Sequence, residues 1–195
     1  MKKLALLLLL GASTVALNAA GPKIKLKSGS LAALSGVKEV GLVFDYSNMR
    51  VGKMNESAYL EDRTAKYNAK EPGKGDQWAK AWVNDREARF EPKFIELINK
   101  NSKLRTFEKG KGDVYFNVHT IFTEPGFNVG VVRANASVNM DIHIIKGGSE
   151  VAVITIVGAY GGTFGGFDYD TGTRIAESYA VAGKYLGKFL DKKAK

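Results

Sequence analysis

His119 and His143 are the only imidazoles in the chain, and each falls on the polar side of an alternating segment. In VYFNVHTIFT (114–123), Val114, Phe116, Val118 and Phe122 alternate against Tyr115, Asn117, His119 and Ile121. In VVRANASVNMDIHII (131–145), Val132, Ala134, Ala136, Val138, Met140, Ile142 and Ile144 alternate against Arg133, Asn135, Ser137, Asn139, Asp141 and His143. Period two marks a strand with one buried face and one wetted face. If the two strands are neighbours, His119, Asp141 and His143 share a surface. Imidazole and carboxylate together can hold a metal or exchange protons there. Histidines on a wetted face need no function, so both readings stay open.

Other candidates are fewer. Trp78, Trp82, Arg86 and Arg89 fall at helical spacing and can form a stacking platform for carbohydrate or peptide, or simply anchor a core. The glycine-rich segment GAYGGTFGGFDYDTG (158–172) lies between a strand and a helix. It fits neither GxxxxGK[ST] nor a tight GxGxxG, and no further strand follows to complete a dinucleotide fold. It reads as an Ω-like loop with Thr171 or Thr173 capping the next helix. Phe164, Phe167 and Tyr169 are then available to pack the loop down or to meet a partner. A nucleophile elbow GxSxG is missing and no pair of catalytic carboxylates stands out. No catalytic residue is assigned and no cofactor is expected.

The elements that must position these residues follow from the same patterns. Residues 21–36 form a polar leading segment, and from Val37 a strand begins whose Val40, Leu42, Phe44 and Tyr46 share one face. Residues 54–69 are a short helix or irregular. Residues 77–100 are helical, with Asp76 as N-cap and Pro92 kinking or restarting the helix. Residues 114–123, 131–145 and 150–157 are strands, the last two joined by a turn at Gly147–Gly148. A helix from about Thr173 to Asp191 carries the apolar stripe Ile175, Tyr179, Ala182, Leu186 and Leu190. The order β–α–β–β–β–α predicts an α+β two-layer sandwich, with a mainly antiparallel sheet of about four strands and two main helices on one face.

The first twenty residues read as a cleavable export signal. Lys2 and Lys3 precede an uncharged, leucine-rich run from Leu4 to Leu17, and small residues follow at Ala19, Ala20 and Gly21. The run is short of the roughly 20 apolar residues of a membrane span. Cleavage after Ala19 or Ala20 leaves a single domain over residues 21–195, with no stable membrane insertion expected afterwards. The chain has no cysteine, which removes both disulfide stapling and a lipid-anchored N-terminus. Its 45% hydrophobic and 25% charged residues are those of a globular protein. Net charge is +9, or +7 once Lys2 and Lys3 are removed. Such a balance suits either solubility or an anionic partner. The lysines are dispersed without an aromatic-interleaved basic stripe, which argues against nucleic acid.

The segments FDYSNMRVGK (44–53), WVNDREARFEPKF (82–94), FTEPGFNVGVVR (122–133) and TFGGFDYDTGTRIAESYAVAGKYLGKFL (163–190) resemble a family of secreted Bacteroides-type proteins with no assigned activity. The resemblance spans nearly all of the exported chain and implies a periplasmic or secreted location. At the level of topology alone, β–α–β–β–β–α is similar to small α/β domains of envelope-assembly lipoproteins, from which the missing lipid-anchor cysteine departs. The expectation is a non-enzymatic binding or assembly protein whose partner is another envelope protein or an anionic envelope polymer. Phe164, Phe167, Tyr169, Trp78, Trp82 and Arg133 are its candidate contacts. The alternative is a hydrolase or metal-dependent enzyme built on His119, Asp141 and His143.

Overall fold

In a computed structural model, residues 21–129, 132–162 and 170–194 are described. Residues 1–20, expected to be an export signal, and the aromatic residues Phe164, Phe167 and Tyr169 lie outside them. The expected four-stranded, two-helix sandwich is not what forms. Eight strands make one mixed sheet, in the order β1 (Lys23–Gly29), β10 (Ser149–Gly161), β9 (Ala136–Lys146), β6 (Val114–Glu124), β2 (Glu39–Asp45) and β5 (Thr106–Lys109). The short β3 (Arg50–Val51) pairs with both β6 and β4 (Met54–Asn55). A separate two-stranded sheet joins β7 (Phe127–Asn128) to β8 (Arg133–Ala134).

The missed strands share a physical cause. β3, β4, β7 and β8 are two residues long and β5 only four, too short to display a period. β1 is lysine-rich because it is a sheet edge, where lysine blunts unwanted pairing. The sheet is also not mainly antiparallel around β2, which runs parallel to both of its neighbours, β5 and β6. A parallel return requires a long crossover, here supplied by helices.

That crossover contains α1 (Glu56–Asn68), then α2 (Lys74–Asp85), a π-helical turn (Arg86–Phe90) and α3 (Glu91–Asn101). The last three run on without interruption. Pro92 marks the start of α3 within this run, the restart expected of it. It sits in the first turn of α3, and the wider turn before it lets Glu91 N–H reach back five residues to Arg86 O. Enlarging the turn accommodates a residue that has no N–H of its own to donate.

α4 (Thr171–Lys193) packs across α3 and the sheet. Ile175, Tyr179, Ala182, Leu186 and Leu190 are all buried, as a stripe at that spacing requires. The helices cover the sheet face bearing Leu42, Phe44, Phe116 and Thr120, since Phe94 packs edge-on to Phe44 and Tyr179 bonds Thr120. On β6 a bulge between Thr120 and Phe122 shifts the alternation. Thr120 and Thr123, rather than Phe122, continue the buried series. The β9–β10 turn does fall at Gly147–Gly148, both with positive φ (56° and 77°), as a tight hairpin demands. Among the described residues no helix is long and apolar enough to cross a membrane.

The cap of α4 is Asp170, not a threonine. Its Oδ1 accepts from Thr173 N at 2.7 Å and from Thr173 Oγ1 at 2.9 Å, and Arg89 joins it as an ion pair. Burial alone would raise this carboxyl, but the Thr173 bonds and the Arg89 charge outweigh it and hold it below its ordinary value of 3.8. Asp170→Ala is expected to cost about 1 kcal/mol. A carboxyl depressed in the folded state contributes stability that is present above 3.8 and lost as pH falls through the lower folded value. Asp170→Asn keeps a capping acceptor but should flatten that acid-side decline. Urea midpoints between pH 5 and pH 2 test this, and an unchanged acid limb in Asp170→Asn would remove Asp170 from it.

Candidate functional site

The helix-free sheet face brings the polar residues of β6 and β9 together. His119 lies opposite Asp141 across the β6–β9 ladder, and Asn117 opposite His143. The two imidazole centroids are 6.2 Å apart. Each of the three candidate side chains nevertheless has a partner of its own. His119 Nε2–H donates to the Ser47 carbonyl at 2.8 Å. His143 Nδ1–H donates to Glu150 Oε2 at 2.6 Å. Asp141 is buried, accepting from Lys27 Nζ at 2.7 Å and Thr155 Oγ1 at 2.6 Å. Burial pushes its carboxyl up, but the Lys27 and Thr155 bonds prevail and leave it below the usual range. Asp141 thus closes an ion pair with the edge strand β1. Among the described residues no group of three His, Asp or Glu side chains is arranged to hold a metal ion.

Arg133 does not join this face. It stands exposed on the β7–β8 hairpin, whose Phe127, Val129 and Val132 are also exposed. Trp78 and Trp82 form no open platform. With Tyr59 and Tyr67 they make an aromatic cluster that fastens α1 onto α2, with centroids 5.2–5.9 Å apart. Trp82 is buried, and its Nε1–H donates to Glu56 Oε1 at 2.7 Å. Arg89 is held by Asp85 and Asp170.

Arg86 is the member of that group that meets a concave surface. A cleft of about 690 Å³ opens where the π-helical turn passes the end of β2. Phe44, Tyr46, Val83, Asn84, Arg86 and Glu91 are among its walls, with Glu87 at the rim. An enlarged turn aligns residues four and five apart, so Arg86, Glu87 and Glu91 point to one side. Alternation along β2 carries Phe44 and Tyr46 to meet them. The Arg86 guanidinium lies over the Tyr46 ring, 4.4 Å from its centroid, and is fixed from behind by Glu56 at 2.5 Å. Tyr46 OH donates to Glu91 Oε1 at 3.4 Å. Burial holds the Tyr46 phenol far above its ordinary value, with the nearby Tyr179 and Glu91 adding to the effect. Tyr46 is therefore a neutral hydroxyl.

Glu91 is the unusual group. It is only 5% exposed, and Lys109 Nζ lies 2.6 Å from its Oε2. That approach is a charge-assisted pair, so Lys109 compensates Oε2 while Tyr46 donates to Oε1. Buried polar atoms are nearly always satisfied. Glu56, Glu87 and Glu91 against Arg86 and Lys109 leave the cleft one negative charge in excess. The cleft thus offers an aromatic–guanidinium wall, an apolar patch at Phe44 and Val83, and a buried carboxylate paired with Lys109. Its carboxylates face cations, and burial keeps the Tyr46 phenol protonated.

Tyr46, Glu91 and Lys109 were not among the residues that sequence patterns singled out. The signal that could have found Glu91 is the charged run DREARFEP, in which a proline follows buried-helix spacing without ending it. Compared with known protein families, curated proteins and solved structures, the chain matches none.

Proposed function

We propose that the chain is an exported, non-enzymatic binding protein of the bacterial envelope that captures a donor-bearing segment in the cleft at the π-helical turn. Export rests on the leader-like residues 1–20. The binding reading is carried by the Arg86 guanidinium stacked 4.4 Å from the Tyr46 ring centroid beside the buried Glu91 carboxylate, in a cleft of about 690 Å³. Ligand sites commonly combine an apolar, aromatic lining with a few convergent polar groups, and this cleft has that composition. Its excess negative charge favours neutral or cationic ligands. A hydroxyl- or amine-bearing envelope glycan fits, with Tyr46, Asn84 and Arg86 supplying further polar contacts.

A hydrogen bond to a charged group contributes about 1.5–3 kcal/mol, so its loss corresponds to roughly a 10–100-fold change in affinity. Titration of residues 21–195 with amino-sugar oligosaccharides should shift the amide signals of Tyr46, Asn84 and Glu87. Glu91→Gln is expected to weaken that binding within the stated range. Shifts confined to other surfaces, or a Glu91→Gln variant that binds like the parent, would discard the cleft as the site.

A further inference from the structure

At the other end of the parallel β2–β5 pair lies a second concave site, independent of the cleft. Arg105 immediately precedes β5 and clamps two distant segments. Its Nη2 donates to Leu34 O, at the end of a 3₁₀ turn, at 2.8 Å and to Ala194 O just past α4. The rest of the guanidinium is unsatisfied. Arg105 is only 6% exposed, and its Nε and Nη1 have no acceptor. Asp191 is the nearest compensating charge, yet its oxygens already accept from Ser102 Oγ at 3.2 Å and Lys103 N at 2.5 Å.

This charge borders a cavity of about 390 Å³ walled by Lys38, Asn99, Ser102, Lys103, Arg105 and Thr106. Asn99 is engaged on both sides with the Phe107 backbone. Lys38 and Lys103 are exposed and form no ion pair among the described residues. Among the described residues, three cations therefore stand around the cavity, and Asp191 is the carboxylate that acts on Arg105. A cleft lined by one sign of charge concentrates the opposite ion. An unpaired buried guanidinium is costly until a counter-charge arrives.

We propose that this cavity binds a tetrahedral oxyanion, a phosphate or sulfate group. Lys38 and Lys103 grip it from the rim, Thr106 offers its hydroxyl, and Arg105 supplies the charge beneath. The anion offsets the Arg105 charge across the cavity wall, so no rearrangement of the clamp is needed. A phosphate of this kind comes either as the free ion or as a substituent on an anionic polymer.

The test is NMR titration of residues 21–195 with inorganic phosphate and with a glycerol-phosphate oligomer, against chloride at matched ionic strength. Saturable shifts at Ser102, Lys103 and Thr106 are expected, and the double variant Lys38→Ala/Lys103→Ala should weaken them about tenfold. Tighter binding of the oligomer identifies a polymer-borne phosphate, and equal binding identifies the free ion. Non-specific salting-out also stabilises proteins, but it neither saturates nor responds to the two lysines. Chloride producing the same shifts, or the double variant binding like the parent, overturns the site. Arg105→Met removes the charge beneath the cavity and should bind more weakly. If it fails to fold, the lysine double variant still decides the matter.

Discussion

Gly183→Val is expected to lower the free energy of unfolding by about 3 kcal/mol. α3 and α4 cross so closely that a Cβ built on Gly183 would lie 2.4 Å from Phe94 O and 3.2 Å from Ile98 N. Both neighbours are backbone atoms and cannot swing aside. Removing a glycine from a helix interior returns at most about 1 kcal/mol of propensity, and less for a β-branched residue. The clash is therefore the larger effect. Phe94 is fully buried and packs edge-on to Phe44, so moving α3 away from α4 also disturbs its contact with the sheet. Urea denaturation measures the change. A valine variant as stable as the parent would mean that the two helices can separate without cost, and the packing account would fail.

Tyr179→Phe is expected to cost about 1–3 kcal/mol, although it removes one oxygen and no carbon. Tyr179 and Thr120 are both buried, and their hydroxyls meet at 2.7 Å. No other partner is present for Thr120 Oγ1 among the described residues, so the substitution strands a hydroxyl in the core. Phe90 stacks on the Tyr179 ring at 5.1 Å and should hold the phenylalanine in place, which confines the loss to the hydrogen bond. Replacing both members of a buried pair by apolar groups of similar shape is nearly neutral. Thr120→Val in the Tyr179→Phe background should thus recover most of the stability. A double variant no better than the single one would show that the lost energy lies elsewhere.

The stripe on α4 illustrates how far pattern reading reaches. Its five large residues are legible because the 3.6-residue period depends on the chain's own backbone alone. Gly183 and Gly187 beside them lie against the α3 backbone at Phe94, Ile98 and Asn101. Which neighbour fills a groove depends on segments more than eighty residues apart. The same limit governs the polar face. Alternation placed His119, Asp141 and His143 on one side of their strands, and the β6–β9 register makes them neighbours. Their hydrogen bonds to Ser47, Glu150 and Lys27 come from β10, β1 and the turn after β2, none of which the alternation specifies.

The cleft was the least legible feature. Tyr46 and Glu91 are ordinary residues in their own segments, and the π-helical turn has no distinctive composition. They meet because β2 lies between β5 and β6, which requires the helical crossover to pass over its end. The charge balance, the absence of cysteine, the long alternating strands and the α4 stripe follow from the sequence alone, because each depends on composition or on a local period. The parallel pairing of β2, the buried Glu91 and the buried, half-paired Arg105 were decided by tertiary structure. Burial and hydrogen-bond satisfaction belong to the assembled neighbourhood rather than to any one segment.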